Sequence, residues 1–289
     1  MSLPAQRGFS LLELSIATAL GAIVFALAVQ LLLGIQQSYR LTSAQARLYE
    51  NARAAAELVS AQVRAAGALP CAPSALQNLS SQTNPPELLA IARPTKPAPL
   101  RGDVLKVRYW ITLLDGDEPA AGSTAIAATQ SGEDCVIFPA SGDTDTPVIF
   151  ADSPSLSVPA HVQFYVDQSV GDTALSSLFR ARSVRGGQRE ELVEGVYDFR
   201  VTFGMDQTGD GAINAFIAAD EVNDWAAVYA VRLWLLVDSL KPVMRWENRV
   251  RDKVWPDGTA LEFDGSPIAP DRRLYRVFAT TIAVERRLP

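Results

Sequence analysis

At 289 residues the chain has room for one large domain or two small ones, and 48% hydrophobic with 20% charged residues is too apolar for a disordered chain. Acids outnumber bases to give a net charge of −6, which argues against a broad electrostatic footprint for nucleic acid. A single histidine, His161, leaves no histidine metal triad, and two cysteines, Cys71 and Cys135, cannot build a four-cysteine zinc site or a disulfide-framework miniprotein. Ordinary enzyme chemistry is therefore a poor first reading.

Residues 1–8 are short and polar with one basic residue, Arg7, and end at Gly8. An apolar run follows at once. From Phe9 to Ile35 the only polar interruptions are Ser10, Glu13, Ser15, Thr18 and Gln30, and the run exceeds the ~20 residues a helix needs to cross a bilayer. A cleavable secretory signal, with a small-residue site at Ala26-Leu27-Ala28, would have an apolar core of about 7 to 15 residues and no use for an acid inside it. A plain uncleaved anchor accounts for the length but leaves Glu13 unexplained, since an ionisable group at the centre of the apolar layer costs about 2.5 to 3.5 kcal/mol. The third reading uses the features together. Arg7-Gly8-Phe9-Ser10-Leu11-Leu12-Glu13 resembles the class III signal of type IV prepilins and pseudopilins: a basic leader ending in Gly, then Phe, then Glu at the fifth mature position.

That resemblance implies that a prepilin peptidase cuts between Gly8 and Phe9 on the cytoplasmic side and methylates the new Phe9 amine. Glu13 then pairs, across subunits, with the Phe9 ammonium of a neighbour in a filament. Breaking one partner of a buried ion pair costs about 3 to 5 kcal/mol. A Glu13 merely solvated at headgroup depth is the alternative. Arg7 against Arg40 and Arg47 leaves the positive-inside rule nearly silent, so the orientation rests on the resemblance.

Beyond Gln36 the pattern turns amphipathic. Leu41, Ala44, Leu48, Ala52, Ala55, Val59 and Val63 recur at steps of three or four, with Arg40, Arg47, Glu50, Arg53, Glu57 and Arg64 on the other face. Gly67 and Pro70 supply a stop. The spacing predicts one helix from Phe9 to about Ala66, with residues 9–35 in the membrane or filament core and 36–66 packed on a head domain of residues 67–289.

The prolines at 85, 86, 94, 97 and 99 mark an extended linker. Strands are predicted at Asp103–Leu114, Cys135–Phe138, Val148–Phe150, Val162–Val166, Leu178–Ala181, Leu192–Phe203, Val228–Val237 and Tyr275–Val284, with Gly186-Gly187 as a hairpin turn. Residues 115–160 and 238–273, rich in Gly, Pro, Asp and Ser, read as long surface loops that would carry partner contacts. The product is an α+β fold, a long helix laid on an antiparallel sheet.

The carboxy-terminal half narrows the family. Leu192-Val193-Glu194-Gly195-Val196, Phe203-Gly204-Met205-Asp206, Trp225-Ala226-Ala227-Val228, Val231-Arg232, and Arg276-Val277-Phe278 running to Arg287-Leu288-Pro289 resemble the minor pilin PilW family. The resemblance implies a non-enzymatic subunit of the inner membrane with a periplasmic head. It would join a minor-pilin complex that primes type IV pilus assembly, reach the pilus tip, and support twitching motility and adhesion. Its partners would be other minor pilins, the major pilin, a large tip adhesin and the prepilin peptidase. A J-type minor pseudopilin of type II secretion shares the same plan, and a membrane-tethered periplasmic binding module is the reading from another class.

In that oxidising compartment Cys71 and Cys135 are expected to form a disulfide closing about 60 residues, contributing about 2 to 4 kcal/mol, two buried thiols being the alternative. The expectation is no cofactor. One stretch partly resembles a calcium loop, with Asp206, Thr208, Asp210 and Asn214 at the first, third, fifth and ninth positions and Gly211 at the sixth. Its twelfth position is Ile217 rather than the bidentate Glu, so an Asp/Gly turn is the competing reading. His161 reads as a structural or surface residue, and Ser153, Ser155 and Ser157 lack a nucleophile elbow. Trp225, Trp234, Trp246 and Trp255 read as core and loop anchors, with one or two available to an interface.

Overall fold

A computed structural model describes residues 11–66, 91–92, 99–113, 124–128, 135–139, 155–182, 189–244, 254–259, 261, 263 and 271–284. Its first element is one uninterrupted helix, α1 (Leu11–Arg64), of 54 residues. At about 1.5 Å per residue it is about 80 Å long. The buried positions of α1 are Ala44, Leu48, Ala52, Ala55, Val59, Ser60 and Val63, the stripe that the three- and four-residue spacing predicts.

The strands are β1 (Ile91–Ala92), β2 (Arg101–Thr112), β3 (Thr124–Ala128), β4 (Cys135–Pro139), β5 (Ser155–Gln168), β6 (Ser176–Arg182), β7 (Arg189–Glu194), β8 (Val196–Met205), β9 (Ala215–Ile217), β10 (Val228–Asp238) and β11 (Tyr275–Ala283). Among the described residues they form two antiparallel sheets instead of the single one expected. In the first, β5 pairs with β2 along one edge and shares its other edge between β3 near Ser155–Ser157 and β6 from Val162 onward; β1, β4 and β7 extend the array. The second runs β11-β10-β8-β9. The fold is α+β, as expected.

The predicted strand Leu192–Phe203 breaks at Gly195, and its two halves enter different sheets. Gly195 sits at φ +79°, where a Cβ would meet Leu240 at 2.7 Å. Its N–H donates to Ser176 O in the first sheet (2.9 Å), and its carbonyl accepts from Asp238 N in the second (2.8 Å). Apolar residues on both sides of Glu194-Gly195 hid this crossing, although in β7 only Val193 is buried. A second close approach lies at Gly102, φ +70°, where a Cβ would fall 2.2 Å from Phe199 O. Beside it Asp103 Oδ2 accepts the Val201 N–H at 2.9 Å, joining β2 to β8.

The α1 stripe, Leu105, Val107 and Phe164 of the first sheet, and Phe199, Val201, Leu233 and Leu235 of the second share one core. Because sheet side chains alternate, Trp234, Leu236 and Tyr275 point to the other face of the second sheet, and a register shift between Leu236 and Val237 brings Tyr197 to it as well. There Trp255, Leu261 and Phe263 cover them. This corrects the reading of 238–273 as surface loop, for Trp255 is 1% exposed. Within 115–160 the predicted strand Cys135–Phe138 is β4, while β3 and the start of β5 correct the reading of that stretch as loop. Alanines fill β3, weak β-formers that conceal a strand whose Ala125 to Ala128 are all buried. The predicted strand Val148–Phe150 and the turn Gly186-Gly187 lie outside the described residues, although β6 and β7 do pair as a hairpin would require.

An ion pair locks the end of β10. Fully buried Asp238 accepts Arg273 Nη1 at 3.0 Å and the Leu240 N–H at 2.7 Å, while Arg273 Nε meets Asp271 at 2.6 Å and Nη2 donates to Ala174 O at 2.8 Å. Burial raises the Asp238 carboxyl to about 6 despite Arg273. Seen from the other end the pair is favourable: burial opposes the Arg273 charge, and the attraction of Asp238 leads the effects that outweigh it. The carboxylate sets the pH response, because arginine does not titrate in an accessible range.

Between its ordinary 3.8 and about 6 the folded carboxyl holds a proton that the unfolded one has lost, so its contribution to stability falls as pH rises through that window. Relative to an Asp238→Asn variant, the detergent-solubilised wild-type protein should lose about 1 kcal/mol of unfolding free energy from pH 5 to pH 7. Denaturant titrations at the two pH values check this, and identical pH slopes would show that Asp238 does not titrate there.

Candidate assembly interface

The first part of α1 has no cover. Leu11, Phe25 and Leu31 are 86%, 71% and 70% exposed, and no residue from Leu11 to Arg40 is buried. Each such side chain gains about 1.5 to 3 kcal/mol on leaving water, so this surface requires lipid or other apolar helices around it. The helix is long and apolar enough to cross a membrane. Two of its hydroxyls suit that setting: Ser15 Oγ donates to Leu12 O at 2.8 Å and Thr18 Oγ1 to Leu14 O at 3.0 Å, so neither is an orphan donor in an apolar medium. Glu13, in the first turn, has no partner among the described residues and is the only ionisable group of the span from Leu11 to Ile35. Gly8 and Phe9 lie outside the described residues.

Where α1 meets the head, Asn51 Nδ2 donates to Glu194 O at 3.0 Å. The packing leaves an apolar groove of about 270 Å³ between α1 and β11, with Tyr49 set edge-on to Phe278 at 5.3 Å between ring centres. The edge strand β11 follows from alternation in the sequence, but the groove does not, since it depends on the crossing of helix and sheet.

The remaining candidates are placed as follows. In the partial calcium loop, Asp206 accepts the N–H groups of Thr208 (3.1 Å), Gly209 (2.7 Å) and Gly211 (2.7 Å). Asn214 Oδ1 accepts Gln207 N at 2.6 Å, its amide donates to Thr208 Oγ1 at 3.0 Å, and Asp210 Oδ1 accepts Ala212 N at 2.9 Å. Ile217, at the twelfth position, lies in β9 and pairs with Phe203 of β8. Burial of Asp206 opposes ionisation, but the Gly211, Gly209 and Thr208 donors outweigh it and hold the carboxyl below its usual range. The loop is a self-bonded turn.

His161 lies in β5 opposite Arg108, and burial, then Lys106 and Arg108, depress its pKa. Ser155 donates to Ala128 O at 3.2 Å, and Ser157 bonds Thr112 at 3.1 Å, so both hydroxyls tie strands together. Trp225 packs edge-on against Phe203 at 5.0 Å, and Trp234 lies 6.5 Å from Trp255. Cys135 opens β4; Cys71, Ser153 and Trp246 lie outside the described residues.

Adding about 5 mM calcium should leave the Tm unchanged, whereas Asp206→Ala should lower it by stranding three backbone donors. A calcium-dependent rise in Tm that saturates below millimolar would restore the calcium reading.

Two family models match the chain. One, described as Type IV Pilus-assembly protein W, covers residues 163–285; the other, a prokaryotic N-terminal methylation motif, covers residues 3–29. No curated protein matches by sequence. Among solved structures a type IV-like pilin from Thermus thermophilus is similar at 15% identity, over 84% of this chain and 99% of that one, with a TM-score of 0.36. At that score the likeness is loose, and the assignment rests on the family models. The methylation motif covers the start of the bare helix, the assembly-protein model covers β6 to β11 and most of the second sheet's core, and together they make this chain a PilW-like type IV minor pilin.

Proposed function

We propose that this minor pilin joins a small complex of minor pilins that primes type IV pilus assembly, and that it stands at or near the pilus tip. The observation that carries the proposal is the bare apolar half of α1, continuous with a half buried in the head. Such a helix holds the subunit in the membrane until other apolar helices replace lipid. The layout is a leader at 1–8, a span at 9–35 through the inner membrane, a helical continuation at 36–66 and a periplasmic head at 67–289.

Prepilin peptidase would cut at Gly8 and methylate Phe9. Glu13, whose charge is costly in an apolar bundle, would pair with the Phe9 ammonium of an adjacent subunit and so set the register of assembly. The major pilin would follow on this complex, and a large adhesin is its further partner. Cys71 and Cys135 would close a disulfide within the head. The role is structural, and it would support motility and adhesion through the pilus.

Deleting the chain should abolish surface pili and twitching while secretion of exoenzymes continues. Complementation with a Glu13→Val protein should restore membrane levels but few pili. Loss of exoenzyme secretion with intact pili would move the protein to the type II secretion pseudopilus. Peptide mapping without reductant should recover Cys71 linked to Cys135, and two alkylatable thiols would remove the disulfide.

A further inference from the structure

The apolar run of α1 ends at Ile35, and the head does not stop short of that level. The segment after β10 folds back beside the helix and encloses a cleft of about 650 Å³. This is within the ~300 to 1,000 Å³ range of small-ligand sites. Leu33, Val243 and Met244 line its apolar side, and Gln37, Arg40 and Arg272 its polar side; among the described residues no acid lines it.

The wall is built rather than loose. The N–H groups of Val243 and Met244 both donate to Arg272 O at 2.9 Å. Ser239 Oγ donates to Lys241 O at 2.8 Å and accepts Leu274 N at 3.0 Å, and the turn passes through Leu240 at φ +59°, its N–H held by Asp238. Neither Arg40 nor Arg272 has an ion pair among the described residues, and both are exposed.

We propose that this cleft binds the phosphate headgroup of an anionic glycerophospholipid in the leaflet facing the head. The inference rests on the membrane placement of α1 given above. Two observations select this ligand. Leu33 and Arg40 are separated by about 10 Å of helix, which matches the step from hydrocarbon to headgroup. The two exposed arginines supply charge that a phosphate complements, with an apolar wall for the first carbons of the acyl chains. Exposed Lys241 adds a third positive charge beside the wall. Such a lipid would hold the head down on the bilayer before extraction, and its release would accompany entry into the filament.

The test uses the full-length protein in phosphatidylcholine nanodiscs containing phosphatidylglycerol, with native mass spectrometry of the lipids that stay bound. Phosphatidylglycerol should be retained in preference to phosphatidylcholine, and the preference should fall about fivefold for each of Arg40→Gln and Arg272→Gln. An Arg40→Lys, Arg272→Lys protein should keep most of it, and matching thermal transitions establish that all variants are folded. Insertion without preference, or a preference unchanged in the double glutamine variant, would overturn the lipid site alone. A photo-crosslinker at Met244 that captures another pilin helix in unassembled membrane protein, in place of lipid, would do the same. Failure to insert at all would overturn both this site and the anchor on which it rests.

Discussion

An α-helix with apolar side chains on every face cannot remain in water, and α1 presents such a surface for its first half while its second half completes the core of a folded head. The two halves share one rigid element, so whatever covers the first also positions the head. In a bilayer the cover is lipid; in a filament it is other helices of the same kind. The exchange is close to neutral in hydrophobic terms, because lipid tails and leucines are equally apolar. Specificity must then come from the few polar groups along the helix. Ser15 and Thr18 are satisfied by their own helix, which leaves Glu13 and Gln30 as the polar side chains of the described span without a partner there.

The head is packed onto that helix through a shared core. Its two sheets and the stripe of α1 meet in one core, and the chain crosses between the sheets at Gly195, hydrogen-bonded to both. The Asp238–Arg273 pair reinforces the same corner, with Arg273 reaching Ala174 beyond the first sheet's β6. Removing one partner from such a pair leaves a buried charge uncompensated, which is why pairs of this type fix geometry more than they add stability. Asn51 at Glu194 places the helix next to this corner.

Much of this was legible in the sequence wherever a periodicity meets a single environment. The stripe from Ala44 to Val63 and the strands at Arg101–Thr112, Val228–Asp238 and Tyr275–Ala283 follow directly from spacing. The rest was hidden for particular reasons. Leu192–Phe203 reads as one strand because a glycine between two apolar runs does not announce a change of sheet. Three of the five residues of the Thr124–Ala128 strand are alanines, weak β-formers, and its pairing with β5 decides its state. Trp255, Leu261 and Phe263 sit among turn-forming residues, yet the second face of the β8–β11 sheet needs a cover and finds it there. The processing signal was readable because its chemistry is local, whereas the cleft beside Arg40 joins residues more than 200 positions apart.

How the chain begins in the cell decides whether it enters a filament. The most direct measurement is mass spectrometry of the amino-terminal peptide of the native, membrane-extracted protein. A peptide starting at N-methylated Phe9 is the predicted result. A protein starting at Val29, or one that keeps residues 1–8 in a cell with an active prepilin peptidase, would contradict it.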